Sequence, residues 1–242
     1  MQGLIGPLKE LAEFEELCKN KKKDVGMIRV CGCVNSQKSH MMYALGDGCK
    51  YKVIACSSET KAKQIYEEYR FLDSNTYLYP AKDFLFYQAD IRSKELVKQR
   101  MEGIQAVLSG EPVTVVTSLD GFMDHLAPKE SIAEKVLKVQ NDSVLKLDEM
   151  AEKLSVIGYD REVQVEGPGQ FAVRGGILDI YPLTEELPVR IELWGDEVDS
   201  IRSFDPESQR SIENLEEIYI YPACELVLTE EERRNGVARI QK

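Results

Sequence analysis

The chain has 242 residues, of which 43% are hydrophobic and 30% charged, and its formal net charge is −11. This composition excludes disordered and fibrous classes and leaves room for two domains of ordinary size. The apolar runs fall short of the roughly 20 residues that a membrane-spanning helix needs. Residues 1–7 lack the basic region and apolar core of a secretory signal, so we expect a cytoplasmic protein.

The cysteines form neither a disulfide framework nor a regular metal motif. They are sparse and include no Cys-x-x-Cys pair, so we predict free thiols in a reducing compartment and no metal site. The alternative is a zinc ion held by Cys31, Cys33, His40 and Cys49, but that set lacks regularly spaced ligand pairs. The six cysteines are Cys18, Cys31, Cys33, Cys49, Cys56 and Cys224.

The negative charge is confined to one part of the chain. Residues 1–126 carry 17 basic and 17 acidic side chains, whereas residues 127–222 carry 10 basic and 21 acidic ones. An acidic segment repels a phosphate backbone, so it is a poor candidate for nonspecific binding to DNA. Two interpretations stay open, namely a solvated surface that maintains solubility and a docking face for a basic protein partner.

Strands alternate with helices in residues 1–126, and this order predicts an α/β domain with a mostly parallel sheet. The strand at Val113–Thr117 is apolar enough to be buried on both faces. Strands are predicted at Met27–Val34, Tyr51–Cys56, Thr76–Tyr79 and Val113–Thr117, and helices at Leu8–Lys23, at Ser39–Leu45, from Ser57 or Ser58 to about Leu72, and at about Ser93–Leu108.

The pattern changes after Pro128, where apolar and polar side chains begin to alternate with a period of two. The clearest runs lie within residues 159–182 and 188–205, and turn residues separate them, which is typical of half-buried antiparallel strands. One helix is predicted at about Leu147–Ile157. We therefore predict a small α+β domain with an antiparallel sheet, and we expect the single tryptophan, Trp194, to pack against that helix or at a sheet edge.

Residues 32–39 nearly match the phosphate-binding loop pattern G-x-x-x-x-G-K-[ST]. Gly32, Lys38 and Ser39 occupy their positions, but Gln37 replaces the glycine that lets backbone amides close around a phosphate. Either this is a nucleotide site that has decayed, or the spacing arose by chance in a loop. No acidic strand end follows residues 113–117 to hold magnesium, so we predict no ATP hydrolysis.

Two motifs resemble the UvrB-homology module that the excision-repair protein UvrB shares with Mfd, the family of transcription-repair coupling factors. They are Phe-Ala-Val-Arg-Gly-Gly-Ile-Leu-Asp-Ile-Tyr-Pro at 171–182 and Arg-Ile-Glu-Leu-Trp-Gly-Asp-Glu-Val-Asp-Ser-Ile-Arg-Ser-Phe-Asp at 190–205. The resemblance continues more weakly through residues 57–68. It implies a degenerate RecA-like domain 1a at 1–126, a UvrA-binding domain 2 at 127–222, and at 223–242 the truncated start of domain 1b.

The resemblance implies that the chain is the N-terminal adaptor module of a coupling factor. That module would recruit UvrA to stalled RNA polymerase in transcription-coupled nucleotide excision repair. The parent protein would be an ATP-dependent DNA translocase, with its motor and its polymerase and DNA contacts in other parts. This chain would then be no enzyme and need no cofactor, because ATP and magnesium would belong to the parent's motor.

Two other functions stay open from the sequence. A UvrB-like ATPase would have to tolerate Gln37 in its phosphate loop. A DNA-binding module would have to bind through a neutral and an acidic domain, against the charge. UvrB's DNA-clamping hairpin has no room in residues 79–92, although Phe84, Phe86 and Tyr87 could stack on bases.

The resemblance also implies a partner site. In UvrB the contact with UvrA uses arginines of a Tyr-x-Arg and a Phe-x-x-Arg-Gly segment, and Arg161, Phe171 and Arg174 match here, while Ala172 replaces a further arginine. An arginine beside an aromatic ring is a common interface anchor. The alternative is that each arginine pairs with a carboxylate of its own domain, for which Glu162, Glu166 and Asp179 are the candidates.

Overall fold

The computed structural model describes residues 2–22, 26–82, 90–225, 227, 234 and 236–239. The chain divides into two compact units, one of residues 1–84 with 109–124 and the other of residues 85–108 with 125–242. The second unit thus includes a long helix that the sequence analysis kept within residues 1–126. The domain limits at 126 and 222 stay predictions.

The described elements follow one another in two patterns, first helices with strands and then mostly strands. In chain order they are α1 (Gln2–Lys9), α2 (Ala12–Lys22), α3 (Asn35–Leu45), β1 (Tyr51–Cys56), α4 (Glu59–Arg70), β2 (Thr76–Tyr79), α5 (Asp90–Ser109), β3 (Val113–Ser118), α6 (Leu119–Phe122), α7 (Lys129–Ala133), β4 (Leu137–Gln140), α8 (Leu147–Val156), β5 (Asp160–Arg161), β6 (Gln170–Arg174), β7 (Ile177–Tyr181), β8 (Val189–Trp194), β9 (Glu197–Phe204), β10 (Ser211–Leu215) and β11 (Glu217–Ile220). None of the described helices is long and apolar enough to cross a membrane.

The first unit contains a three-stranded parallel sheet in the order β1–β3–β2, as the alternation of strands and helices predicted. Ser58 caps the start of the α4 helix, and its hydroxyl accepts a hydrogen bond from the Lys61 amide at 3.3 Å. Ala62, Ile65 and Tyr69 recur at helical spacing and are buried against the sheet. The apolar face of α4 therefore contributes to one buried cluster of this unit, and α1, α2 and α3 form another around Ile5, Phe14 and Ala44.

The prediction of a strand at Met27–Val34 is wrong, because residues 26–34 have no regular structure. Ile28 and Val30, which such a strand would bury, are 39% and 40% exposed. A strand is stabilised by its neighbours in a sheet more than by its own propensity, and none of the described strands pairs with this segment. The predicted first helix is divided into α1 and α2, and Lys23 lies outside the described residues.

The second unit contains a six-stranded sheet in the order β10–β9–β8–β7–β6–β5, antiparallel except for the short β5–β6 pair. The β4 and β11 strands form a separate antiparallel pair. One face of the large sheet, which we call the inner face, is apolar and fully buried at Phe171, Leu178, Ile191 and Ile201. Leu154 of α8 packs into the same core, so the predicted α+β arrangement is present here.

The prediction that Trp194 is packed is wrong, because the residue is 85% exposed. It is the last residue of β8 and pairs with Glu197 across the Gly195–Asp196 turn. Leu193 packs against the core, and the alternation of a strand therefore directs Trp194 to the opposite face. Another expectation, base stacking by Phe84, Phe86 and Tyr87, lies outside the described residues.

Candidate partner-binding face

The face of the six-stranded sheet opposite the core carries a row of arginines, and we call it the arginine face. It is formed by side chains of four adjacent strands, β6 to β9. The register pairs Asp179 with Arg190 and Arg190 with Arg202. It also pairs Ile177 with Arg174 on one side and with Glu192 on the other. A strand sends alternate side chains to opposite faces, so each polar residue here alternates with a core residue. The face consists of Arg174, Asp179, Arg190, Glu192, Trp194 and Arg202.

Asp179 is the centre of this face. Its carboxylate is 1% exposed and accepts hydrogen bonds from Arg174 Nη2 at 2.6 Å, from Arg190 Nε at 2.6 Å and from Arg190 Nη2 at 2.9 Å. Two guanidinium groups share one carboxylate, so the cluster keeps a net positive charge. A buried carboxylate needs such partners because its desolvation is costly.

Arg190 is held in place from three directions. Besides Asp179, it donates from Nη2 to Gln209 Oε1 at 2.8 Å, and its guanidinium lies 4.5 Å from the centre of the Phe204 ring. The hydrogen bond to Asp179 raises the pKa of Arg190 above its ordinary value. Only 15% of its side chain is exposed, so Arg190 is a fixed positive charge at the base of the face.

Arg174 combines an internal contact with an open surface. It pairs with Asp179, as the alternative from the sequence proposed, yet 46% of its side chain remains exposed. The turn that follows, Gly175–Gly176, begins with a φ of 59° at Gly175, a backbone conformation that glycine adopts without strain. Pairing with Asp179 therefore orients the guanidinium without removing it from solvent.

The same turn approaches the end of β8. Gly176 accepts a hydrogen bond from the Leu193 amide at 2.8 Å, and a Cβ on Gly176 would approach the Leu193 carbonyl to 3.0 Å. The turn after β6 thus lies beside Leu193, while β7 separates the β6 strand from β8. Trp194 and Arg174 are both exposed on the arginine face, and tryptophan and arginine are among the residue types most enriched in protein–protein hot spots.

The structure does not bring the three residues predicted from the sequence onto one surface. Phe171 is 0% exposed and belongs to the core, so its ring cannot contact a partner in this conformation. Arg161 is exposed, and within the described residues its side chain makes no ion pair or hydrogen bond. The register aligns Arg161 with Phe171, which places it at the sheet edge on the inner side rather than beside Arg174.

Residues 32–39 begin a helix but do not form a phosphate cradle on a strand. Gln37 Oε1 accepts a hydrogen bond from the Val34 amide at 3.3 Å, so its side chain caps the first turn of α3. Lys38 Nζ donates to Asn35 Oδ1 at 3.1 Å, and the buried Ser39 hydroxyl donates to Glu68 Oε2 at 2.8 Å. Gly32 has a φ of 85° and follows a segment without regular structure.

The cysteines do not form a metal site in the part of the chain that the structure describes. No group of three or more histidine, cysteine, aspartate or glutamate residues there could hold a metal ion. None of the six cysteines forms a disulfide, and burial raises the pKa of the Cys56 thiol.

Residues 137–226 match the family described as the UvrB interaction domain. Over 236 residues, 96% of this chain, the sequence is 33% identical to a transcription-repair-coupling factor of Bacillus subtilis. It is 37% identical over 159 residues to the corresponding factor of Staphylococcus epidermidis and 36% identical over 163 residues to that of Staphylococcus aureus, matches that cover 66% and 67% of the chain. The chain spans only 20%, 14% and 14% of these three relatives.

Proposed function

Because the chain belongs to the Mfd family of transcription-repair coupling factors and carries a UvrB interaction domain at residues 137–226, we propose that it is an adaptor module that binds UvrA. The surface proposed for this contact is the arginine face, all of which lies within residues 137–226. A coupling factor needs such a module to connect its motor to the excision-repair proteins. The motor itself would belong to the remainder of a longer protein.

The observation that carries the proposal is the exposure of Trp194. A tryptophan that is 85% exposed on a sheet face gives up much of the free energy that burial would supply. On the same face, the guanidinium of Arg174 is held in place by Asp179, so little side-chain entropy is lost on binding. Both features favour a partner surface with a pocket for an aromatic ring and a carboxylate for bidentate pairing.

Charge supports the same assignment. Residues 127–222 are strongly acidic, yet the Asp179 cluster holds two arginines on one carboxylate. A partner that recognises only the net negative charge of the domain would not match this positive cluster, so the cluster favours a partner with a complementary acidic patch. An acidic patch on UvrA would pair with the cluster, and the surrounding carboxylates would repel polyanions such as DNA.

The first unit fits a RecA-like domain that has lost its nucleotide site. Its parallel β1–β3–β2 sheet supports the RecA-like part of this proposal. Ser39, which would bind magnesium in an intact phosphate loop, is committed to Glu68, and Gln37 fills the position of a glycine. These contacts favour an adaptor over a UvrB-like ATPase. In the parent protein, ATP-driven translocation and contacts with RNA polymerase would come from other domains.

The proposal is tested by titrating the 242-residue chain into purified UvrA by calorimetry. We expect saturable binding that Trp194→Ala weakens by about 2 kcal/mol, a value typical of a hot spot. Lys153→Ala, an exposed cation on α8, serves as a control and should bind as the unaltered chain does. The adaptor proposal fails if the chain does not bind UvrA.

A further inference from the structure

A groove of about 540 Å³ opens in the second unit, away from the arginine face. It lies between the connection of β7 to β8, the β10 strand, and the β11 strand with the residue that follows it. We call it the acidic groove and define it by the side chains that line it and carry the argument, which are four glutamates, four aliphatic residues, two tyrosines and Ser203. None of these residues belongs to the arginine face.

The floor of the acidic groove is apolar. Val189 and Ile218 are 3% and 7% exposed, and Leu187 and Leu215 beside them are half-buried. Val189 belongs to the inner face of the large sheet, so the groove reaches the edge of the hydrophobic core. A concave apolar floor of this kind accepts an aliphatic side chain, which gains by leaving water.

The charged residues that line the rim of the acidic groove are all glutamates. Glu185, Glu186, Glu213 and Glu217 line it, no lysine or arginine does, and the first three make no ion pair within the described residues. Glu217 alone pairs with a cation, Lys138, at 2.8 Å. Concave walls of low dielectric concentrate the field of such charges and attract cations.

Two tyrosines extend the recognition surface. Tyr219 is 45% exposed and already has the Lys138 ammonium 5.3 Å from its ring centre, so its ring accepts cations. Burial, followed by the nearby Tyr219 and Glu185, raises the pKa of Tyr221. Tyr221 therefore keeps its proton and remains a hydrogen-bond donor at neutral pH.

Ser203 adds a hydroxyl to the wall of the acidic groove, although the residue as a whole is 7% exposed. A backbone amide or carbonyl of a bound segment would pair with this hydroxyl.

We propose that the acidic groove binds an extended basic peptide segment of a partner protein. An aliphatic side chain of the segment lies on the floor, and the lysine or arginine residues on either side of it reach the glutamates of the rim. The segment's backbone pairs with Ser203. Charge complementarity commits the groove to this occupant, because an acidic or purely apolar peptide would leave the rim carboxylates unpaired.

The test uses a capped hexapeptide of alternating lysine and leucine, titrated into the 242-residue chain labelled with nitrogen-15. We expect saturable shifts of amide resonances at residues 185–187 and 213–221, and no saturation with a glutamate–leucine peptide. The double variant Glu185→Gln, Glu213→Gln should bind the basic peptide about tenfold more weakly, since two charge-assisted contacts are lost.

A matched double variant separates groove binding from general attraction to an acidic protein. Glu152→Gln with Glu207→Gln removes the same charge from exposed positions outside the groove and should leave the affinity within about twofold. Equal losses in the two double variants, shifts centred elsewhere, or no saturable binding would each overturn the proposal. Unchanged thermal unfolding of both double variants confirms that the fold is retained.

Discussion

Arg174 Nη2 lies 2.6 Å from Asp179 Oδ2, and the carboxylate that it contacts is 1% exposed. Asp179 also accepts two hydrogen bonds from Arg190, so one buried anion orients two cations. This arrangement makes Asp179 a positioning residue for the arginine face rather than a contact residue. Replacing Asp179 should therefore lower the stability of the second unit and, because Arg174 and Arg190 are no longer oriented, also weaken partner binding.

Asp179→Asn should destabilise the second unit by about 3 kcal/mol, because it leaves two arginines without their counter-charge, one of them mostly buried. Urea unfolding measures the change. Glu192→Gln is the matched control, since Glu192 pairs with Arg202 on the same face but is one-third exposed, and it should cost less than about 1 kcal/mol. Similar costs for the two variants would contradict the central role of Asp179.

The tryptophan fluorescence of the protein should report the exposure of Trp194, because it is the only tryptophan in the chain. We expect a red-shifted emission spectrum in the native protein, efficient quenching by iodide, and little further shift when urea unfolds the chain. A native spectrum that is blue-shifted and moves to the red on unfolding would show that the indole is packed, as the sequence alone suggested.

Alanine variants of Phe171 and Arg161 should distinguish a residue needed for stability from a residue available for binding. Phe171→Ala removes a ring that is 0% exposed and should cost about 3–5 kcal/mol in unfolding free energy. Arg161→Ala removes an exposed side chain and should change the unfolding free energy by no more than about 0.5 kcal/mol. If the contact with UvrA extends around the sheet edge, the same variant should weaken UvrA binding by about 1–3 kcal/mol. Unchanged UvrA binding by Arg161→Ala would confine the contact to the arginine face.

The chain should neither bind nor hydrolyse ATP at millimolar concentration with magnesium. Gln37 and Ser39, which occupy the glycine and magnesium-ligand positions of the loop pattern, are both engaged in other hydrogen bonds. Calorimetry with the unaltered chain and with Lys38→Ala measures this. A saturable, magnesium-dependent signal that Lys38→Ala abolishes would mean that the loop still forms a nucleotide site.

The alternation of apolar and polar residues was sufficient to predict antiparallel strands within residues 159–205, where the structure has β6 to β9, but β10 was not predicted. Val189, Ile191 and Leu193 point to the core, and Arg190 and Glu192 to the opposite face, as a period of two requires. The same rule places Trp194 outside. Its residue type suggested burial instead, so the pattern was a better guide than the hydrophobicity of one side chain.

Features that depend on distant partners could not be predicted from the sequence. The strand expected at Met27–Val34 has suitable residues but no neighbour in the described sheet. Arg190 was not predicted as part of the proposed site, because its place there depends on its contact with Asp179, which is buried on the adjacent strand. Arg100 is 0% exposed and pairs with Glu225, 125 positions away, an interaction of α5 within the second unit that no local pattern indicates.

The affinity of the Arg174→Ala variant for UvrA tests the central claim most directly. Arg174 is the one position that the sequence motif and the structure both place on the proposed surface, and it is accessible without unfolding. Measured by calorimetry beside the unaltered chain and Lys153→Ala, the variant should bind UvrA more weakly by about 1–3 kcal/mol, with native unfolding behaviour. If Arg174→Ala and the unaltered chain bind UvrA with equal affinity, the arginine face is not the UvrA contact.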